Sequence, residues 1–572
     1  MKLFFLFAAY LSLAGVVLAQ NGGQDAKSST NATNLAGEVQ ALREALAQTQ
    51  KQLAAEHQEI ETLKAHLKAS STISASNEPS LRQTEERTSD LTPSTMKPTA
   101  LHTVANIGQE PIVPQGAENP SSDQSAGTFR FGDAVLTLGG FADFENIFRT
   151  TNTQSNIATS FASIPYSNTP QGNVSEFRTT AQYSRLSAKV EENFRGNDVT
   201  AYIETDFSGN SAPSVYQSVN PHTNRLRLYF VDVKHGKWEF LGGQTWSWLT
   251  PNRTGIGPMP TDLALTYNED QNIGIGFPFT RAAEFRVAYH PNEHWAMGAG
   301  IEDSNQFIGG YVALPSAFST VVGPQFDNGS QIGAANPFPD IISKITYDRD
   351  FSGRHFHAEL SGLFTGAHAS VKPIGASSFR THDTVGGGGQ IASNYELLPK
   401  LTLLANAFWS IGGAHYLVGT GPQVVVRPNA AGTDVSLSML HGGAVSAGLE
   451  WRASPKEAFA VYYGANYYSR NSFPDTTNAG HPGTFIGYGG LRSPNTNNRS
   501  IQELTFDWVQ TFWNSTRYGA LQTYAQYSYL TRSPWYVAPG DPKNAHLSMV
   551  YFGVRYVLPS TSGTLLRVPY PN

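Results

Sequence analysis

From Phe129 to Leu558 the chain alternates apolar and polar residues, segment after segment, broken by turn residues. A period of two belongs to β-strands, whose successive side chains point to opposite faces. In LTLGGFADFENIF, Leu136, Leu138, Ala142 and Phe144 fall on one face, and Thr137, Asp143 and Glu145 on the other. YSRLSAKVEENF, the turn Gly196-Asn197-Asp198 and VTAYIETDF then form a hairpin with strong turn chemistry. Leu186, Ala188 and Val190 share one face of it, as do Val199, Ala201, Ile203 and Phe207. Arg185, Ser187, Lys189, Glu191, Thr200, Glu204 and Asp206 fill the other. Soluble sheets also alternate, but here the polar face carries charges of both signs along more than four hundred residues.

Sixteen strands are expected, centred on 134–148, 177–194, 199–208, 224–234, 238–248, 281–290, 294–303, 340–350, 355–366, 383–397, 401–411, 437–453, 457–470, 500–513, 519–531 and 546–558. Short connections, such as His235-Gly236-Lys237, Ser352-Gly353 and Ser454-Pro455, alternate with long ones. The long ones run over 149–176, 209–223, 249–280, 304–339, 367–382, 412–436, 471–499 and 532–545. Short periplasmic turns alternating with long external loops are the layout of outer-membrane barrels. In lipid every backbone polar group must be paired, so a spanning sheet has to close. An even strand count puts both ends of the barrel on the periplasmic side. Tyr and Trp near strand ends, among them Trp238, Trp246, Trp248, Trp295, Tyr467, Tyr468, Trp508, Trp513 and Tyr529, suit interfacial girdles or the ordinary aromatic enrichment of sheets. The expected fold class is therefore all-β: a 16-stranded antiparallel transmembrane β-barrel over 128–558, preceded by an N-terminal α-helical coiled coil.

Residues 1–19 read as a signal peptide, with Lys2 ahead of an apolar run and the small-residue pattern at Val17 and Ala19. A short polar lead, 20–32, follows. Over 33–68, Val39, Leu46, Leu53, Ile60 and Leu67 recur every seven residues, with Leu35, Leu42, Thr49, Glu56 and Leu63 on the companion row. That is a heptad, expected as a self-associating periplasmic stalk. Residues 69–127 are rich in Ser, Thr, Pro, Asn, Gln and Glu and too polar to bury a core, as a flexible linker is. A tail, 559–572, follows the last convincing strand, YFGVRYVL.

Charged residues make up 15% of the chain, against about 25% in soluble globular proteins. There is no cysteine, which excludes disulfides and thiolate-held metals. The net charge of −6 argues against a nucleic-acid partner. No HExxH or GxSxG occurs, and Ser446 in AVSAG lacks the first glycine. His355 and His357 share a strand face without an evident third metal ligand. The run Gly386–Gly389 lacks the strand-turn-helix context of a phosphate loop and reads as a place where the wall bends. No enzyme, cofactor or metal site is expected.

RLRLYFVDVKHGKWEFLGGQTWSWL, residues 225–249, resembles trimeric outer-membrane porins of the DcaP-like type, related to the phosphate-selective porin group. In those proteins basic strand residues precede a turn and a strand ending in a GQTW-like sequence, matched here by Gly243, Gln244, Thr245, Trp246 and Ser247. YSRLSAKV and the coiled coil ahead of the barrel are also similar. Sharp agreement is confined to roughly 180–250. The resemblance implies a sixteen-stranded homotrimer that passes small, often anionic solutes. The tail departs from the aromatic ending common in outer-membrane barrels.

Porin chemistry is electrostatic filtering at a constriction. By alternation Arg185, Lys189, Arg225, Arg227 and Arg286 face inward. The third long loop, 249–280, is expected to fold into the lumen and brings Arg253, Asp262, Glu269 and Asp270. An arginine ladder opposite loop carboxylates would set up a transverse field and attract anions. The same arginines could instead pair with Asp143, Glu204 and Asp206 and stiffen the wall. The expected function is an outer-membrane porin for passive diffusion of small hydrophilic solutes, with anions among the candidates, homotrimeric and embedded in outer-membrane lipid. A structural anchor tethering the coiled coil to peptidoglycan is the alternative.

Overall fold

The computed structural model describes residues 127–559, apart from 210–222, 259–265, 267–273, 330–333, 335, 479 and 482. The signal peptide, polar lead, coiled coil and nearly all of the linker expected above lie outside the described residues, as do residues 560–572 of the tail.

Strand β1 (Thr128–Phe131) leads into β2 (Ala134–Arg149). β3 (Glu176–Thr180) and β4 (Arg185–Phe194) together flank β2 on its other side. The wall continues through β5 (Asn197–Gly209), β6 (Thr223–His235), β7 (Trp238–Trp246), β8 (Arg281–Tyr289) and β9 (Trp295–Glu302). β10 (Asp340–Phe351), β11 (Arg354–Val371), β12 (Arg380–Leu398) and β13 (Leu401–Ile411) follow. β14 (Val424–Pro428) and β15 (Val435–Met439) are a hairpin of the sixth long loop. β16 (His441–Ser454) and β17 (Glu457–Tyr468) return to the wall. β18 (Asn471–Pro474) and β19 (Phe485–Tyr488) are a second loop hairpin. β20 (Asn498–Ser515), β21 (Gly519–Pro534) and β22 (Ala545–Val557) complete the circuit. β22 pairs antiparallel with β2, so sixteen wall strands close into a barrel. Closure leaves the wall without the open edge that lipid forbids. The expected strand over 177–194 is split in two, because Ala181–Ser184 leave the ladder.

The alternation read from the sequence is the alternation of the wall. Leu138, Phe144 and Phe148 are exposed outward, while Asp143, Glu145 and Arg149 are buried inward. Leu186, Ile203, Phe285, Leu360, Ile391, Val445 and Phe552 continue the apolar outer belt. Such a surface would be costly in water and suits hydrocarbon. Among the described residues no helix is long and apolar enough to cross a membrane. The turns are built as their residues require. Arg195-Gly196 and Ser352-Gly353 have positive φ at both positions, the type I′ geometry that suits a tight hairpin. Pro399 precedes Lys400 at φ 74°, as in a type II turn. Two of the expected girdle residues are interior instead: Trp248 and Tyr468 are buried beneath the loops. No positive φ falls within Gly386–Gly389; an added Cβ at Gly386 would meet the Ile411 carbonyl oxygen at 2.1 Å, so close approach is what that position needs.

The closing seam carries its own ion pair. Asp143 on β2 lies opposite Arg555 on β22, 2.6 Å apart at the closest atoms and both almost fully buried. Arg555 also stacks over the Phe141 ring, 4.2 Å from its centre. Tyr524 on β21 donates to Asp143 and Glu145. Removing one partner of such a pair leaves an uncompensated buried charge, at a cost of about 3–5 kcal/mol. We expect Asp143→Ala to lower the temperature at which the folded barrel loses its compact gel mobility, with Asp143→Ala/Arg555→Met recovering part of the loss. Equal melting of parent and single variant would show that the pair contributes nothing to closure.

Candidate functional site

The described parts of the third long loop, 249–258, 266 and 274–280, include backbone groups held by inward side chains of the wall. Lys344 on β10, fully buried, donates to the Thr250 carbonyl oxygen at 3.0 Å and Asn252 Oδ1 at 3.2 Å, and pairs with Glu359 on β11 at 3.0 Å. Glu359 accepts the Asn252 N–H, and Asp348 accepts the Gly255 N–H. Arg253 reaches β16, where its Nη1 donates to Glu450 Oε2 at 2.7 Å. At the far end the Ile275 N–H donates to Glu503 at 2.8 Å and the Gly276 N–H to Asn466 at 3.1 Å. Asn406 donates to the Gly276 carbonyl oxygen at 2.9 Å. A loop with no ladder of its own needs such partners, since an unmade buried hydrogen bond costs more than a made one gains.

Two further loops enter the lumen. In the sixth loop Tyr416 and Leu417 are fully buried, and the Phe279 N–H at the end of the third loop donates to the Tyr416 carbonyl oxygen. The Tyr416 hydroxyl donates to Asp340 at 3.0 Å and Glu302 at 3.3 Å. Burial, with those two carboxylates, pushes the Tyr416 hydroxyl well above its usual value, so it stays a donor. The first loop packs Ile157, Phe161 and Ile164 against β20–β22, where Arg532 donates to the Ile164 carbonyl oxygen at 2.6 Å and Asn498 to that of Ala162.

The described loops thus cover the inner wall from β9 to β22. On β4–β6 a cluster of inward charged side chains keeps partial access to water. Arg225 donates to both oxygens of Asp206, at 2.9 and 2.6 Å. Arg227 joins Glu204 at 2.8 Å and Asp206 at 2.9 Å. Arg185 lies 3.6 Å from Glu204 and over the Phe141 ring. Three guanidiniums therefore share two carboxylates. The Arg225 side chain is 32% exposed, Lys189 20% and Arg185 12%, whereas Asp206 is fully buried. A bulge explains the alignment: Glu204 faces Leu228 and Thr205 faces Leu226, so Arg227 is the extra residue. Without it, simple alternation would turn Tyr229 and Val231 inward; they face out instead, with Phe230 and Asp232 inside.

The structure brings Arg185, Arg225 and Arg227 together on one wall, with Lys189 on the same strand as Arg185 and 3.2 Å from Glu191. It does not bring Arg286 to them. Arg286 is buried on β8, 3.5 Å from Glu284 and over the Trp248 ring. Arg253 points to the opposite wall and Glu450, not toward the ladder. Asp262, Glu269 and Asp270 lie outside the described residues. Of the wall partners considered, Glu204 and Asp206 take the arginines, while Asp143 belongs to Arg555. His355 and His357 are occupied by Asp348, Asp350 and Glu359, and no set of three or more ligands among the described residues could hold a metal. Sequence reasoning missed Lys344, Glu450, Glu503 and Arg555, although the alternation that turned Arg185 inward places each of them inward too.

Among solved structures the chain is similar to the outer-membrane channel DcaP of Acinetobacter baumannii, with a TM-score of 0.52 at 17% identity, covering 75% of this chain and 99% of that one. It is also similar to an anion-selective porin from Comamonas acidovorans, with a TM-score of 0.40 at 13% identity, over 74% of this chain and all of that one. OmpF of Salmonella typhi gives a TM-score of 0.41 at 10% identity, over 75% of this chain and all of that one. No protein-family model and no curated relative matches the chain. At such identity the likeness speaks for the fold alone: the closed sixteen-stranded barrel of this chain is similar to the architecture of DcaP, an outer-membrane channel.

Proposed function

We propose that the chain is an outer-membrane porin that lets small hydrophilic solutes diffuse through its lumen and favours anions. One observation carries the reading. On β4–β6 one cluster holds three guanidiniums, Arg185, Arg225 and Arg227, against two buried carboxylates, Glu204 and Asp206, while Glu302, Asp340, Glu503 and Asp507 are buried where the loops cover the wall. A solute passing this cluster meets net positive charge, and guanidinium groups bind carboxylate and phosphate well. Pairing lowers the field of each arginine without cancelling it, because the excess charge and the exposure fall on the same side chains. The resemblance adds a homotrimer, with the coiled coil in the periplasm. The test is the reversal potential of the purified full chain in a planar bilayer under a salt gradient. Stepwise openings with the anion sign are expected. A cation sign would overturn the anion preference, and silence from folded protein would overturn the channel.

A further inference from the structure

The sixth loop has an arrangement that neither the fold nor the basic wall requires. Glu284 on β8, Glu302 on β9 and Asp340 on β10 lie directly across from one another in the ladder, three inward carboxylates at one level. Glu302 is 2% exposed and Asp340 not at all. Residues 412–423 cover them. His415 Nε2 lies 3.1 Å from Asp340 Oδ2, and Tyr416 donates to both Asp340 and Glu302. The segment then crosses to β17, where Asn466 donates to Thr420 Oγ1 and Thr420 and Tyr468 share a hydrogen bond. Gln423 ties its end to Thr365 on β11. The cover is apolar in part, through the fully buried Ala414, Tyr416 and Leu417, and its hydrogen bonding is incomplete. Asp340 Oδ1, His415 Nδ1 and the Trp248 indole N–H are buried without a hydrogen-bond partner. Unsatisfied buried polar atoms favour a state in which water reaches them.

We propose that residues 412–423 are a removable plug, with His415 and Tyr416 as its catch on Asp340 and Glu302. Docked, the plug closes the β9–β17 side of the lumen and leaves solutes the basic β4–β6 wall. Released, it opens a second water path lined by Glu302 and Asp340, which favours cations. The plug therefore sets selectivity as well as conductance. This inference rests on the porin reading, and the two fail differently.

The test is single-channel recording of the full chain, with reversal potential measured at each conductance level. The variant Tyr416→Phe/His415→Gln should populate a level of larger conductance whose reversal potential lies toward the cation side of the main level. A second variant guards against a folding effect. Leu417 and Phe279 are partners in an isolated parallel bridge, so cysteines there can be tested for a bond, and the parent chain has no cysteine to interfere. Leu417→Cys/Phe279→Cys should lose the larger level when oxidised and regain it on reduction. A catch variant with the parent's levels and selectivity, or an oxidised pair that still shows the larger level, overturns the plug. Absence of steps from every folded form overturns the porin reading beneath it.

Discussion

Replacing Gly464 with leucine will push the third loop off the barrel wall. Gly464 sits inward on β17, and a Cβ there would stand 1.6 Å from the Ile275 carbonyl oxygen and 2.6 Å from its carbon. Both are backbone atoms, so no rotamer relieves the clash. The loop makes the matching concession. Gly276 has φ 99°, and a Cβ at that position would meet the Val445 carbonyl oxygen at 2.3 Å. Backbone thus packs on backbone, which only glycine permits. Leucine at 464 must break the bonds from Ile275 N–H to Glu503, from Gly276 N–H to Asn466 and from Asn406 to the Gly276 carbonyl oxygen. One bond to a charged group and two neutral ones sum to about 4 kcal/mol. That is about a thousandfold in the docked-to-free ratio of this end of the loop. We expect noisy, multi-level conductance and protease cleavage within 249–280, in a barrel that still resists denaturant. Gly389→Ala is the control, since its Cβ would find nothing nearer than 3.7 Å. A quiet channel of parent conductance in Gly464→Leu would mean that the loop does not need this contact.

Alternation made the barrel legible because lipid imposes one rule on every strand, and a rule repeated sixteen times survives local error. It also turned Arg185, Arg225 and Arg227 inward correctly. Their partners were only half legible. Glu204 lies two strand positions from Asp206 in the same hairpin, so its pairing with Arg227 could be guessed. Arg253 and Glu450 are 197 residues apart and Asp143 and Arg555 are 412 apart, and nothing local links them. The bulge at Arg227 left no mark in the sequence, because a bulge is set by what two strands do together. The sixth loop was also missed. Val424, Val425 and Val426 are fully buried, and three adjacent β-branched residues in an expected external loop were the available signal that it packs on something. Trp248 and Tyr468 misled in the opposite sense: an aromatic near a strand end suits a lipid interface or a loop-covered interior equally well.

Charge reversal on the β4–β6 wall should reverse the ions the channel prefers. The parent cluster has three guanidiniums, Arg185, Arg225 and Arg227, and two carboxylates, Glu204 and Asp206. Arg225→Gln balances them at two and two. Arg185→Glu/Arg225→Glu leaves one guanidinium against four carboxylates. If this wall faces the permeating ion, reversal potential should move from the anion side, through little selectivity, to the cation side. Arg227 is the wrong residue for the experiment. It is almost fully buried and joins both acids, so replacing it removes support from the wall along with charge. Arg225 and Arg185 retain access to water, and Arg227 remains to hold Glu204 and Asp206 in either variant. Salt separates a field effect from a change of shape. The screening length falls from about 10 Å at 0.1 M to about 3 Å at 1 M. The spread among the three proteins should therefore shrink as salt is raised, while their conductance ratio at high salt stays near one. A reversal potential unmoved across the series at low salt would place the selective charges elsewhere in the lumen.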